Sequence, residues 1–436
     1  MMLQGAIDRV RNAQMHAPQG TVVLVSGLIV EIGGLKAAIG DCLRVDAIEG
    51  LKLEVVGFRK DHLLTTPLGS TSGLRPGDKA TFHSHGGWVR VSDDLLGRVI
   101  DSFGRPVDGG APVGHGTRVP LRAEPPDPFE RRPIDTPLAS SVRAIDGLLP
   151  LGVGQRAGIF AGSGVGKSTL LGMICRGSSA DVNVIALIGE RGRELNDFIR
   201  ESLGEEGLAR SVVVAATGDQ SPLVRARGAE TATAIAEYFR DQGKSVLLVM
   251  DSVTRYAMAM REVALAAGEP PATKGYPPSV FASLPRLVER AGTSSGKGVI
   301  SALYTVLVEG DDMNDPIADA IRGLLDGHIV LSRNFAERGH FPAIDVSASV
   351  SRLANQVSTP QHLEAAHNMR DLLGAHREAL DLIQVGAYVT GSDPRVDLAI
   401  QLAPQFEGFL RQSVTEKTPR EQTLAVLQHL VGSSPN

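Results

Sequence analysis

Hydrophobic and polar positions change rhythm twice along this chain. From residue 20 to about 90, short β-branched or alternating stretches read TVVLVSGLIVEI (21–32), LKLEVVGF (51–58), HLLTTPLG (62–69) and KATFHS (79–84). Glycine and proline separate them, and period-two alternation between such breaks predicts short strands closing into a small barrel. LLGRVIDSFGRPVDGG (95–110) then reads as loop, and the proline-rich RAEPPDPFERRPIDTP (122–137) as a surface connector.

From about residue 150, apolar runs of strand length alternate with helical patterns. The runs are AGIFA, NVIALIG, SVVVAAT, SVLLVMD, VISALYTVLV and HIVLS. Between them lie GKSTLLGMICR, LNDFIRESL, LVRARGAETATAIAEYFRDQ and DPIADAIRGLL. Runs without alternation expect burial on both faces, so this pattern predicts a mostly parallel sheet with helices on either side. Beyond about residue 358 only helical patterns remain, and the last, TPREQTLAVLQHLV, opens as a capping box with Thr418, Pro419 and Glu421. The expected domains are therefore a barrel over residues 1–90 behind a short N-terminal segment, an α/β domain over 91–358, and a helical domain over 359–436. Within the N-terminal segment, Leu3, Ile7 and Val10 would share one face of a short amphipathic helix, or the terminus is frayed.

Composition narrows the function classes. Across 436 residues the formal net charge is -5, so no global basic field recruits nucleic acid. Two cysteines, Cys42 and Cys175, are too few for a disulfide framework or a zinc site, and a reducing cytoplasm is expected. His83 and His85 alternate on one strand, but a metal would need a third ligand, and a surface strand is expected there. No apolar run reaches the roughly 18 residues of a membrane span, and no hydrophobic signal core opens the chain.

Candidate chemistry centres on AGSGVGKST (161–169), placed between a predicted strand and a predicted helix. It fits the phosphate-loop pattern [AG]-x-x-x-x-G-K-[ST]. Glycines let backbone N–H groups approach phosphate oxygens, and the following helix aims its positive end at them. Gly162, Ser163, Gly164, Val165, Gly166, Lys167, Ser168 and Thr169 form the expected cradle. Lys167 carries the charge for the outer phosphates and Ser168 the hydroxyl for Mg²⁺. Asp251 ends an apolar strand where a carboxylate would hold Mg²⁺ through water, although the same residue could cap the next helix. Glu190 ends another such strand, where a carboxylate could orient an attacking water or simply begin a solvated helix.

Taken in order, AGSGVGKST, GERGRE, MDSVTRYAMAMRE, GEPPATKGYPPSVF, GDDMNDPIAD and VSASVSRLANQ resemble the export ATPases of bacterial flagella and type III secretion systems, which in turn resemble the catalytic β subunit of F-type ATP synthases. The likeness spans nearly the whole chain and is densest from about 91 to 360. It implies an α/β P-loop NTPase core of RecA-like type, an N-terminal β-barrel and a C-terminal helical domain. It also implies that Glu190 polarises the attacking water, that Arg191 and Arg255 reach the γ-phosphate, that Glu194 stands near Mg²⁺, and that Arg352 is an arginine finger for the neighbouring subunit. Otherwise Arg352 makes a surface ion pair. The implied activity is Mg²⁺-dependent ATP hydrolysis by a hexameric ring. Implied partners are stalk-like and stator-like regulators, an export gate and chaperone–substrate complexes, at a cytoplasmic position peripheral to the inner face of the plasma membrane. No nucleic acid is implied.

Three alternatives follow from the same residues: a rotary synthase subunit, a ring RNA translocase like the Rho terminator, and an ATP-binding scaffold. The export-type wording GLLPLGVGQRAGIFAGSGVGKS opposes the first. Only Phe58, Phe82 and Trp88 are aromatic in the predicted barrel, which opposes the second. A glutamate rather than a glutamine at position 190 opposes the third. The stretches SRLANQVSTPQ and FLRQSVTEK lack the aromatics expected against adenine, so Pro360 and Val414 are the expected apolar slot.

Overall fold

The computed structural model describes residues 18–432 apart from 309 and 311. The expected amphipathic segment with Leu3, Ile7 and Val10 lies outside the described residues. Two compact units result. One holds the described residues up to Gly87 together with Glu262–Pro270; the other holds Trp88–Arg261 and the described residues from Pro271 onward.

In the first unit, strands β1 (Gln19–Ser26), β2 (Ile29–Gly33), β3 (Cys42–Val45), β4 (Lys52–Arg59), β5 (His62–Pro67) and β6 (Lys79–Ser84) close a barrel in the order β1-β2-β5-β4-β3-β6. Alternation places Val22, Val30, Ile32, Leu43, Leu53, Val55 and Leu63 inside. The predicted run 21–32 is a hairpin rather than one strand, because Gly27 turns the chain at φ +57°. Strand β3 is too short to show a period. His85 pairs with Asp41 at 3.2 Å and packs its ring against Phe82 at a tilt of 52°, while His83 is exposed.

The second unit is built on a sheet whose long path uses eight strands: β7 (Arg98–Asp101), β8 (Arg156–Ala161), β9 (Val182–Ile188), β10 (Ser211–Ala216), β11 (Ser245–Asp251), β12 (Val299–Leu307), β13 (Gly327–Leu331) and β14 (Ile344–Ser351). Their order is β14-β13-β8-β12-β11-β9-β10-β7, parallel throughout except at β13–β14. Every residue of β9 and β10 is buried, as expected of central parallel strands. The sequence pattern predicts loop where β7 forms. Its four residues pair with β10 at the sheet edge, a contact no local pattern announces.

Helices cover both faces. On one, the alanine-rich α3 (Pro222–Asp241) and α4 (Val253–Ala267) contribute to a core with Val184, Val214, Leu248 and Tyr304. On the other, α1 (Arg143–Leu148) and α2 (Lys167–Gly177) share one apolar core with the C-terminal helices α5 (Pro360–Gln384), α6 (Pro394–Leu410) and α7 (Arg420–Gly432), through Ile145, Leu171, Met369, Phe406, Phe409 and Leu427. Thr418 does not form the expected capping box. Helix α7 begins at Arg420, and the Thr418 hydroxyl faces Glu416 at 3.2 Å and Arg143 at 3.3 Å. Among the described residues no helix is long and apolar enough to cross a membrane.

Candidate active site

Strand β8 ends at Ala161, level with Leu307 of β12 and Leu331 of β13. The glycine loop therefore sits at the carboxyl edge of the sheet, where ligands of parallel α/β folds bind. Gly164 and Gly166 hold φ of +79° and +88°, a left-handed backbone that a side chain would strain, and Gly166 is the residue from which α2 springs. Ser163, Gly164 and Ser168 are open to solvent, while Val165 is buried and anchors the loop. Among the described residues, the amides of 164–168 donate to no backbone carbonyl. Amides left free ahead of a helix are the groups that bind phosphate.

Lys167 joins residues far apart in sequence. Its Nζ donates to Asp251 Oδ1 and to Glu190 Oε1, the latter at 3.4 Å. Burial works against the lysine charge, but the Asp251 and Glu190 carboxylates outweigh it and hold the ammonium pKa above its ordinary value. Burial pushes the Glu190 carboxyl up, and nearby Asp251 adds to that push while Lys167 opposes it. A carboxyl raised in this way is suited to accept a proton. Asp251 also accepts from the buried Thr305 hydroxyl at 2.7 Å.

Arg255, in the first turn of α4, lays its side chain against Gly189, where an added Cβ would meet it at 3.1 Å. Its Nε is buried and has no partner among the described residues, which suits it to an anion. Arg191 is not drawn into this cluster. It is 86% exposed and donates to Glu194 one turn on, at 3.3 Å. Thr169 is half-buried in the first turn of α2. No group of three His, Cys, Asp or Glu side chains forms a metal cage among the described residues. A hydroxyl and one or two carboxylates are the sparse oxygen set suited to Mg²⁺ held mainly by phosphates and water.

Arg352 lies elsewhere. Strand β14 runs antiparallel to β13, with Ile344 beside Leu331 and Ser351 beside Gly327. The residue after Ser351 is therefore at the opposite edge of the sheet from the end of β8, about 16 Å away along the strand direction alone. Its amide donates to the Asp326 carbonyl at 3.1 Å, and its side chain is exposed. It cannot serve the phosphate loop of its own chain.

Phe341 belongs to none of the motifs that the sequence offers. Its ring lies 3.5 Å from where a Cβ on Gly166 would stand, and 43% of the residue is exposed. Pro360 opens α5, whose His362 binds the Gly147 carbonyl. Val414 follows Gln412, whose amide donates to the Phe341 carbonyl at 3.0 Å, and the Val414 carbonyl accepts from Arg176 of α2. The available signal was an aromatic–proline pair between two strands whose joined ends lie at the loop edge of the sheet.

The model of the ATP synthase alpha/beta family nucleotide-binding domain matches residues 141–351, and that of the same family's beta-barrel domain matches 22–83. The T3SS EscN ATPase C-terminal domain model matches 358–429. The flagellum-specific ATP synthase of Bacillus subtilis (strain 168) is 50% identical over 437 residues, covering 99% of this chain and 100% of that one. The chain belongs to the flagellar and type III secretion ATPases. The type 3 secretion system ATPase of Xanthomonas euvesicatoria is 49% identical, covering 94% of this ATPase and 93% of its own length. The assembled ATPase EscN from the enteropathogenic E. coli type III secretion system superposes with a TM-score of 0.91 at 47% identity, covering 94% of this ATPase and 100% of EscN. EscN in complex with its central stalk EscO superposes at 0.88, with the same identity and coverage.

Proposed function

We propose that this ATPase hydrolyses MgATP in a homohexameric ring and energises protein export in a flagellar or type III secretion apparatus. The observation that carries the chemistry is the meeting of Lys167, Glu190 and Asp251 at the open glycine loop, from three separate strand ends. Loop amides and Lys167 hold the triphosphate. Ser168 and Asp251, with Glu194 nearby, would hold Mg²⁺, which neutralises charge on the outer phosphates. Glu190 aligns a water in line with the γ-phosphorus and takes its proton. Arg255 would receive the developing charge, and Arg191 would reach it by swinging in from solvent. Arg352 completes a neighbour's site.

Cytoplasmic rings, peripheral at the inner face of the plasma membrane, would turn against a central-stalk-like partner. Stator-like regulators, the export gate and chaperone–substrate complexes meeting the C-terminal helices complete the proposed set of partners. The test is twofold. Purified rings should release phosphate from ATP only with Mg²⁺. Deleting the gene in the source organism should stop motility or secretion, restored by the wild-type chain and not by Glu190→Gln.

Phe341 would stack on the base. Base–aromatic stacking is worth about 1–3 kcal/mol, so Phe341→Ala should raise KM for ATP roughly tenfold, with a smaller change in kcat, while Phe341→Tyr restores it. Steady-state kinetics over a range of ATP concentrations check this; an unchanged KM places the base elsewhere.

A further inference from the structure

Asp251 sits at the end of β11, and its carboxylate must be aimed as well as present. Free carboxylates rotate, and a metal held through water tolerates little misplacement of the group that orders that water. In this chain the aiming comes from the neighbouring strand. Met250 of β11 is level with Tyr304 of β12, which brings the next residue of each strand, Asp251 and Thr305, side by side. Thr305 is fully buried, and its hydroxyl donates to Asp251 Oδ1 at 2.7 Å, the same oxygen that receives Lys167. Two residues further along β12, the Leu307 amide donates to the Thr254 hydroxyl at 2.9 Å, so the turn leading from Asp251 into α4 is fixed from the same strand. The helix-side threonine accepts and the strand-side threonine donates. Together they stitch residues 251–254 to the end of β12.

We infer that Thr305 is a positioning residue for Mg²⁺-dependent hydrolysis. By occupying Oδ1 it fixes the rotation of the Asp251 carboxylate and directs its remaining lone pairs to the metal's water shell. The requirement is for a hydroxyl and not merely for bulk, since valine would fill the same space with no donor. The inference rests on Asp251 acting toward Mg²⁺ and adds the group that orients it.

The experiment compares the full-length wild type with Thr305→Val, Thr305→Ser, Asp251→Asn and the double variant Thr305→Val/Asp251→Asn. It reads hydrolysis and, separately, the gain in affinity for a fluorescent ADP analogue when Mg²⁺ is added. A hydrogen bond to a charged group corresponds to about 10- to 100-fold, so Thr305→Val should lose that much kcat with KM for ATP changed less than about threefold. It should also need more Mg²⁺ for half-maximal rate and show a reduced Mg²⁺-dependent gain in ADP affinity. Thr305→Ser should recover most of each. In the Asp251→Asn background, Thr305→Val should cost nothing further, because it acts through that carboxylate. Thr305→Val with wild-type Mg²⁺ response, beside an Asp251→Asn that has lost it, overturns the inference and leaves the site intact. Equal losses in Thr305→Ser and Thr305→Val, tracking a lowered melting temperature, overturn it in favour of packing. An Asp251→Asn chain that keeps its full Mg²⁺ response sinks the site assignment and the inference together.

Discussion

Glu190→Gln should bind ATP with an affinity within about threefold of wild type and hydrolyse it about 10³-fold more slowly, the range expected when a positioned general base is removed. Glutamine keeps the shape and a hydrogen-bonding oxygen near Lys167, so the phosphate cradle survives. What is lost is a group able to take a proton from water. The position of Glu190 supports this division of labour, since it meets Lys167 at 3.4 Å from the end of β9 and forms no part of the loop. A pH signature accompanies the change. Burial raises the Glu190 pKa above its ordinary value of 4.5, so the carboxylate protonates at a higher pH than a free glutamate does. Wild-type activity should therefore fall as pH drops through that raised value and be full above it, and the residual activity of Glu190→Gln should lack this acid limb. Single-turnover phosphate release across pH, beside equilibrium ATP binding, measures both. A variant hydrolysing within tenfold of wild type would remove Glu190 from the base role.

Arg352→Ala should lose about 10³- to 10⁵-fold in ATPase rate, the effect of withdrawing an arginine finger. The reason lies in sheet direction. Because β14 is antiparallel, Arg352 is carried to the edge opposite its own glycine loop, and the guanidinium can reach a triphosphate only on another copy. This gives a result that a folding defect cannot imitate. Lys167→Ala subunits keep their Arg352, and Arg352→Ala subunits keep their phosphate loop. In randomly mixed rings about a quarter of the sites pair an intact loop with an intact neighbouring arginine, so mixing two inactive proteins should restore activity. Mixed rings that assemble, as sized by light scattering, yet gain no activity would rule out a shared site.

Much of this molecule is legible in its sequence. Period-two alternation marked the barrel strands, continuous apolar runs marked the buried parallel strands, and AGSGVGKST named the phosphate loop, since each depends on residues close together in sequence. The edge strand Arg98–Asp101 was not legible, because four residues carry no period and their partner in β10 lies more than a hundred positions away. Thr418 had the letters of a capping box, yet Glu416 and Arg143 engaged its hydroxyl.

The site divides in the same way. The chain's own order of residues determined that a phosphate loop, two strand-end carboxylates and a family-specific arginine exist, because glycine conformation and the end of an apolar run are local properties. Strand order and register decided the rest. They set β11 and β12 side by side so that Thr305 meets Asp251, brought the Phe341 ring to Gly166, and turned β14 so that Arg352 faces away from its own loop. Those are pairings between distant segments, fixed by how buried surfaces fit together, and no window of sequence contains both partners.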